Sequence, residues 1–300
     1  MNAEPIKISD NLFLIKLVPP IRGFDNFIGS WLYRGEKNFI VDVGPSVTAN
    51  SLLRALDDLN IKNLDYIFLT HIHIDHAGGT GEIAEKFPDA TIICHKAGIP
   101  HLVDPVRLWK GSVKTLGDTG RAYGPIKPVP EKCFTSADDF VSDIVTPVIT
   151  PGHAQHHVSY NTDQCLFAGE AAGVYLSLPS GHEYFRPATP PKFFMETSLN
   201  SINTLIKKKP DKLCYGHFGI KDNAVKMLEQ QRAQLMLWNR IIDDEMKTKG
   251  EDFSMDLCIN RLTKEDPLLE GFFYMDEDVR ERERVFLRNS VKGFAGYLSP

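Results

Sequence analysis

One segment constrains this chain more than any other. The apolar run Tyr66-Ile67-Phe68-Leu69-Thr70 leads straight into His71-Ile72-His73-Ile74-Asp75-His76, followed by Ala77-Gly78-Gly79. A short apolar run bounded by polar residues reads as a buried strand. In extended backbone, positions i and i+2 point the same way, so His71 and His73 can reach one point in space. Asp75 and His76 follow in the turn and can face a second point close by. Gly78-Gly79 permits a sharp turn into the next helix. Imidazoles and carboxylates gathered at a strand end suit zinc and tolerate iron or manganese. A chain with this feature has to build its fold around the end of that strand.

The flanking sequence supplies strands first and helices later. Residues 6–18 are β-rich and end at Pro19-Pro20. Residues 31–33 and 39–43 flank Gly35-Glu36-Lys37-Asn38 and read as a hairpin. Leu52, Leu53, Leu56 and Leu59 place a helix over residues 47–59, and residues 80–87 and 90–94 read as a helix and a strand. Residues 95–140 mix Gly and Pro with Arg107, Trp109, Lys110, Arg121 and Tyr123, and read as a long irregular insertion or lid. Strand signal returns at 144–150, 157–161, 165–168 and 212–215, and Pro190-Pro191 precedes a helix reaching about residue 208. Lys207-Lys208-Lys209 sits at that helix end, where cations suit the macrodipole. Beyond about residue 220 the strands stop. Val225, Leu228, Leu235, Trp238, Ile242 and Met246 form one apolar stripe, and Leu287, Val291, Phe294 and Leu298 another. Ser254 is a candidate N-cap between them.

Composition narrows the function classes. The chain has 300 residues, 42% hydrophobic and 24% charged, as in soluble globular proteins. Its 34 basic and 39 acidic residues leave a net charge of -5, which argues against a nucleic-acid or anionic-membrane partner. Five scattered cysteines with no Cys-x-x-Cys argue against a disulfide framework. No apolar run approaches the roughly 20 residues of a membrane span. Residues 1–5 lack the basic and apolar regions of a signal peptide, so a reducing cytoplasm is the expected location. Self-association, as a homo-oligomer, is left open.

Four further segments, in order with the first, resemble the metallo-β-lactamase superfamily of hydrolases, in its glyoxalase II-like branch with no subfamily assigned. They are Phe39-Ile40-Val41-Asp42-Val43-Gly44, Thr150-Pro151-Gly152-His153, Leu166-Phe167-Ala168-Gly169-Glu170 and Tyr215-Gly216-His217. The resemblance covers about residues 5–220. It implies an α/β fold, a four-layer αβ/βα sandwich with a C-terminal helical extension. Residues 1–220 are then the catalytic domain and residues 221–300 a helical C-terminal domain.

Carried over by position, the resemblance makes His71, His73 and His153 ligands of one metal, and Asp75, His76 and His217 ligands of a second. Position 170 would bridge them. The family usually has Asp there, whereas this chain has Glu170, which keeps the charge and adds a methylene. Asp75 would also serve as catalytic proton acceptor or shuttle. Asp42 and His157 would support ligands without binding metal. His156 stands where the family commonly has glycine. His182, Tyr184 and Arg186 are candidate substrate contacts, since a tyrosine hydroxyl can stabilise a developing oxyanion. His95 and His101 read as histidines without a direct role.

The implied function is a metal-dependent hydrolase, with two zinc ions, acting through metal-bound hydroxide on a small ester, thioester or lactone. Bound metal lowers the pKa of water from about 15.7 to about 7. Two alternatives stand beside it. A mononuclear iron dioxygenase of the persulfide-oxidising type would need only His71, His153 and a carboxylate at 170. A degenerate metal-binding protein would tolerate loss of ligands, and here all are intact. The diiron branch carries Glu where this chain has His73. Nucleic-acid-cutting members carry a basic arm that this chain lacks. Glutathione-thioester hydrolases share a helical C-terminal domain, but residues 221–300 contain no clear match to their glutathione-contacting motif.

Overall fold

The computed structural model describes residues 3–299. Met1, Asn2 and Pro300, at the outer ends of the two expected domains and of the leader reading, lie outside the described residues. The first sheet holds seven strands side by side in chain order. They are β1 (Glu4–Lys7), β2 (Leu12–Leu17), β3 (Ile28–Tyr33), β4 (Phe39–Val41), β5 (Tyr66–Phe68), β6 (Thr91–Cys94) and β7 (Phe134–Ser136). β1 to β4 form an antiparallel meander, and β4 to β7 pair in parallel. Parallel neighbours need crossovers. These are α1 (Ala49–Asp58), then α2 (Ile74–Ala77) with α3 (Thr80–Lys86), then α4 (Ile99–Val103), α5 (Val106–Leu116) and α6 (Asp118–Tyr123).

The second sheet starts with β8 (Thr146–Ile149), β9 (Val158–Asn161) and β10 (Cys165–Gly169). A separate hairpin follows, β11 (Val174–Ser177) and β12 (Glu183–Arg186), and then α7 (Met195–Lys207). The chain returns to the sheet with β13 (Lys212–Tyr215) and β14 (Ile220–Asp222), giving the order β14-β13-β10-β9-β8. Strand alternation decides what lies between the layers. Phe39, Val41, Phe68 and Ile93 meet Val158, Tyr160, Phe167 and Cys214 between the sheets. Their neighbours Ile40, Ile67, Ile92, Leu166, Ala168 and Leu213 face the helices. The result is the four-layer sandwich. Two polar atoms tie the sheets together: Trp31 Nε1 donates to the Tyr215 carbonyl at 2.9 Å, and the Tyr160 hydroxyl lies 2.9 Å from the carbonyls of Leu69 and Ile93.

The tail comprises α8 (Ala224–Lys249), α9 (Met255–Glu265), a 3₁₀ segment (Pro267–Tyr274) and α10 (Glu277–Leu298). Leu228, Leu235, Trp238, Ile242, Leu287, Val291 and Phe294 are buried and join the same apolar cluster as the outer face of the sheets. Asp266 is buried with them, and accepts from Trp238 Nε1 and Gln234 Nε2, both at 2.7 Å. Burial raises its carboxyl above the usual range, against the pull of those donors.

Some expectations change. Residues 95–140 are not an irregular loop: they hold three helices and β7. Pro105, Gly117 and Gly124 break them into short pieces, and the stripe Val106, Trp109, Val113 and Leu116 along α5 is a helical signal that the irregular reading passed over. Residues 6–18 divide into β1 and β2, because the backbone N–H groups of Ile8 and Ser9 both turn onto the Leu12 carbonyl. Strand structure runs past residue 220 into β14. Ser254 stands at the N-cap of α9, but its side chain makes no capping hydrogen bond.

Candidate metal centre

β4 and β5 run parallel, as do β10 and β13, and β8 runs with β10 because each is antiparallel to β9. Their C-terminal ends deliver the polar residues to one place. Asp42 follows β4, His71 and His73 follow β5, His153 follows β8, Glu170 follows β10 and His217 follows β13. The chain is extended at His73, and α2 begins one residue later, which puts Asp75 and His76 on its first turn.

Two groups of donor atoms result. Those of His71, His73, His153 and Glu170 all lie within 4.8 Å of one another, and so do those of Asp75, His76 and His217. Glu170 stands between the groups. Its Oε2 is 2.9 Å from His153 Nε2, 3.4 Å from His71 Nε2 and 3.6 Å from His76 Nε2, and its Oε1 is 3.4 Å from His217 Nε2. Asp75 Oδ2 lies 3.8 Å from both His76 Nε2 and His217 Nε2. The extra methylene of Glu170 therefore leaves its carboxylate in the centre of the cluster.

In four of the five rings the far nitrogen is held from behind. His76 Nδ1 donates to Asp42 Oδ2 at 2.9 Å, His153 Nδ1 to the Ala188 carbonyl at 2.8 Å, and His217 Nδ1 to the Phe27 carbonyl at 3.2 Å. Thr70 Oγ1 donates to Asp42 Oδ2 at 2.8 Å and so accepts from His71 Nδ1 at 3.0 Å. His73 differs, turning Nδ1 to within 3.0 Å of His153 Nε2. The Nε2 atoms of His71 and His76 are buried without any hydrogen-bond partner. Buried nitrogens left unpaired in this way need an explanation. A divalent cation among three imidazoles and a carboxylate, or among two imidazoles and a carboxylate, supplies one, so the residues present fit a metal.

Electrostatics points the same way. Burial pushes His71 well below its usual pKa and, with His153 nearby, brings His73 down to about 3. Burial also opposes protonation of His76 and His153. The carboxylates of Asp75 and Asp42 outweigh it at His76, and that of Glu170 at His153, so both are raised. Burial alone would raise Glu170, but His153 and His217 hold it well below the carboxylate range.

A family model described as the Metallo-beta-lactamase superfamily matches residues 26–217. The chain belongs to the metallo-β-lactamase superfamily. Among similar proteins is the metallo-beta-lactamase fold-containing protein ST1585 of Sulfurisphaera tokodaii, 29% identical over 213 residues, which are 67% of this chain and 76% of that protein. Its crystal structure superposes with a TM-score of 0.69 at 24% identity, covering 96% of this chain and 99% of the other, a likeness of fold. The probable metallo-hydrolase MJ0888 of Methanocaldococcus jannaschii is 27% identical over 69% of this chain and 95% of its own length. A hydroxyacylglutathione hydrolase of Aliivibrio fischeri is 30% identical, with the match spanning 52% of this chain and 50% of that enzyme.

Two residues expected to support the ligands lie directly behind the donor groups. Asp42, buried at a φ of 57°, accepts from the Thr70 N–H and hydroxyl and from His76. His157 is fully buried. Its Nε2 accepts the Glu170 N–H at 3.1 Å, and its Nδ1 lies 2.9 Å from Thr150 Oγ1. It therefore fixes the backbone that carries Glu170. Gly169 is required there, since a Cβ would come within 2.4 Å of His157 Nε2 at a φ of +54°.

The three expected substrate contacts do not join the cluster. His182 lies in the turn between β11 and β12 and stacks on Tyr274, with ring centroids 3.5 Å apart. Alternation along β12 puts Tyr184 and Arg186 on one face, and that face is buried against α10. Arg186 Nε donates to Glu283 at 2.6 Å, and the Tyr184 hydroxyl is buried without a partner. Two residues outside the expected ligands and substrate contacts come up against the cluster. The His156 ring lies 6.0 Å from that of His73, with Nδ1 buried and unpartnered, and burial brings its pKa down to about 4. Its replacement of the usual glycine was the available signal. Phe27 stacks on His217 at 4.0 Å, a contact across 190 positions with no local signature.

Proposed function

We propose that this chain is a metal-dependent hydrolase that uses two zinc ions on a small ester, thioester or lactone. The observation that carries the reading is the pair of donor groups sharing Glu170. His71, His73 and His153 would hold one ion, Asp75, His76 and His217 the other, with Glu170 between them. When bound, such ions lower the pKa of water towards about 7 and polarise an acyl oxygen. The chain's own groups do the rest. Asp42 and Thr70 keep the protons of His76 and His71 on the nitrogens facing away from the centre. Glu170 is only 7% exposed, whereas the Asp75 side chain is 18% exposed and open to the cleft. Asp75 is thus the carboxylate placed to take up a proton and pass it to a leaving group.

The relatives named hydroxyacylglutathione hydrolase support a thioester within this class. The intact group of Asp75, His76 and His217 favours the hydrolase over a one-iron dioxygenase and over a degenerate binding protein. Among the described residues no helix is long and apolar enough to cross a membrane. Five unpaired cysteines, four of them buried, support a reducing cytoplasm. We place the division between catalytic and helical parts at about residue 220, and the substrate among small molecules rather than nucleic acids.

Metal analysis of the purified chain together with turnover of a simple thioester tests this. The expected result is about two zinc per chain, with turnover abolished in His73→Ala. One iron per chain with oxygen uptake on a persulfide would overturn the hydrolase. Unchanged turnover in His73→Ala would place the activity away from this centre.

A further inference from the structure

We propose that α10 completes the second metal position: Arg282 and Phe286 press Phe27 onto His217 and so set that ligand in place. This rests on reading Asp75, His76 and His217 as metal ligands.

Phe27 holds His217 twice. Its carbonyl accepts from Nδ1 at 3.2 Å, and its ring lies 4.0 Å from the imidazole at an angle of 14°. The guanidinium carbon of Arg282 is also 4.0 Å from the Phe27 centroid. Two flat groups cannot occupy one face of a ring at that distance, so they flank it: imidazole, phenyl, guanidinium. Phe286, one helical turn beyond Arg282, lies against Phe27 as well, at 5.3 Å and 21°. Phe27 is fully buried and has no freedom to move away from this stack.

The helix also grips the segment that carries Phe27. Arg282 Nη1 donates to the Gly23 carbonyl, and its guanidinium lies 5.4 Å from the Phe24 ring. Gly23 sits so close to α10 that a Cβ would come within 2.5 Å of the Asp278 carbonyl oxygen, at a φ of +81°. Arg282 is itself held. Its Nε donates to Glu283 Oε1 at 3.0 Å, and Glu283 Oε2 takes Arg186 Nε at 2.6 Å. Arg186 in turn lies 4.7 Å from the Phe286 ring. Two guanidiniums around one fully buried carboxylate are a poor way to gain stability compared with apolar packing. They are a good way to hold α10 in one register against β12 and residues 23–27. Arg282 reaches His217 through the single ring of Phe27. Its path to His153 is longer, through Glu283 and Arg186 to the Pro187 carbonyl beside Ala188, and His71 rests on Thr70.

The experiment is titration of the metal-depleted full chain with Co²⁺, followed by absorbance, in wild type, Arg282→Met, Phe27→Leu and Leu262→Ala. Leu262 is fully buried in α9, so its truncation loosens the tail without touching the stack. Folding of each variant is checked by circular dichroism, and Phe27→Leu serves if Arg282→Met does not fold. The expected result is a loss of affinity for the second equivalent of about 10-fold or more in Arg282→Met and Phe27→Leu, as for other groups behind metal ligands. The first equivalent stays within about twofold, and Leu262→Ala keeps both. Unchanged second-site affinity in Arg282→Met overturns the proposal. So does an equal loss in Leu262→Ala, which would mean general loosening. A wild type that takes up a single Co²⁺ defeats the two-metal reading itself, and is told apart because no variant is needed to see it.

Discussion

Asp42→Asn is the substitution whose outcome the structure determines most closely. Asparagine tolerates the left-handed backbone at position 42 and keeps the size of the side chain. One oxygen can still accept the Thr70 N–H. The other becomes an NH₂ that faces Thr70 Oγ1 and His76 Nδ1 as a donor. His76 must then accept at Nδ1 and carry its proton on Nε2. Thr70 Oγ1 must accept from the amide and donate to His71 Nδ1, which drives the same tautomer change at His71. Both unpartnered Nε2 atoms of the centre would be protonated. Two hydrogen bonds to a charged acceptor are lost, each worth about 1.5–3 kcal/mol, and new neutral ones recover part. We expect a folded protein, less stable by about 2–4 kcal/mol in urea unfolding of the metal-depleted form. Zinc affinity by chelator competition should fall by about 10- to 100-fold for each affected ligand. Asp42→Ala combines left-handed strain of about 1–2 kcal/mol with three unpaired buried donors at about 1–3 kcal/mol each. Together that is about 4–11 kcal/mol, comparable to the whole stability of a domain, so little folded protein should accumulate. Wild-type zinc affinity in Asp42→Asn would refute the tautomer argument and reduce Asp42 to a turn residue.

Three more outcomes follow from the same contacts. Glu283→Gln leaves Arg186 and Arg282 buried without a countercharge, at a cost of about 3–5 kcal/mol near neutral pH. Burial would raise Glu283, but Arg186 and Arg282 outweigh it and depress its pKa, so its stabilisation is present above the usual 4.5 and lost as pH falls through the folded value. Urea unfolding from about pH 7 to pH 3.5 should therefore show the gap between wild type and Glu283→Gln shrinking with acid, and a constant gap would contradict this. His157→Ala leaves the Glu170 N–H unpaired and a cavity in its place, which should cost about 3–5 kcal/mol in chemical unfolding; a loss under about 1 kcal/mol would show that the Glu170 turn holds itself. Gly169→Ala sets a methyl against His157 Nε2 and, at 2.9 Å, against Thr70 Cβ, so metal content after purification should drop; full metal content in that variant would contradict a tight packing requirement.

Much of the centre is written in short stretches of sequence. His71, His73, Asp75 and His76 are within six residues of one another, and their geometry follows from a strand end and one helical turn. Phe39 and Val41 alternate with Ile40 as a two-faced strand must. The stripe of Leu228, Leu235, Trp238 and Ile242 matches the buried side of α8. Where these local rules lose force, reading fails. Pro105, Gly117 and Gly124 cut residues 95–140 into helices too short to dominate the segment, although Val106, Trp109, Val113 and Leu116 mark α5. His182, Tyr184 and Arg186 lie in a chemically suggestive segment, yet a β-hairpin absent from the expected elements turns two of them onto α10.

The sequence by itself brought His71, His73, Asp75 and His76 together, because a strand end and one helical turn are local patterns. The family resemblance added His153, Glu170 and His217, and the apolar stripes after residue 220 marked a helical tail. Tertiary structure decided that the Glu170 carboxylate reaches both donor groups despite its extra methylene. It also decided which side chains hold the histidines from behind. Phe27 meets His217 across 190 positions and Arg282 meets Gly23 across 259. Contacts at such separations come from packing of whole layers, and no spacing in the chain encodes them.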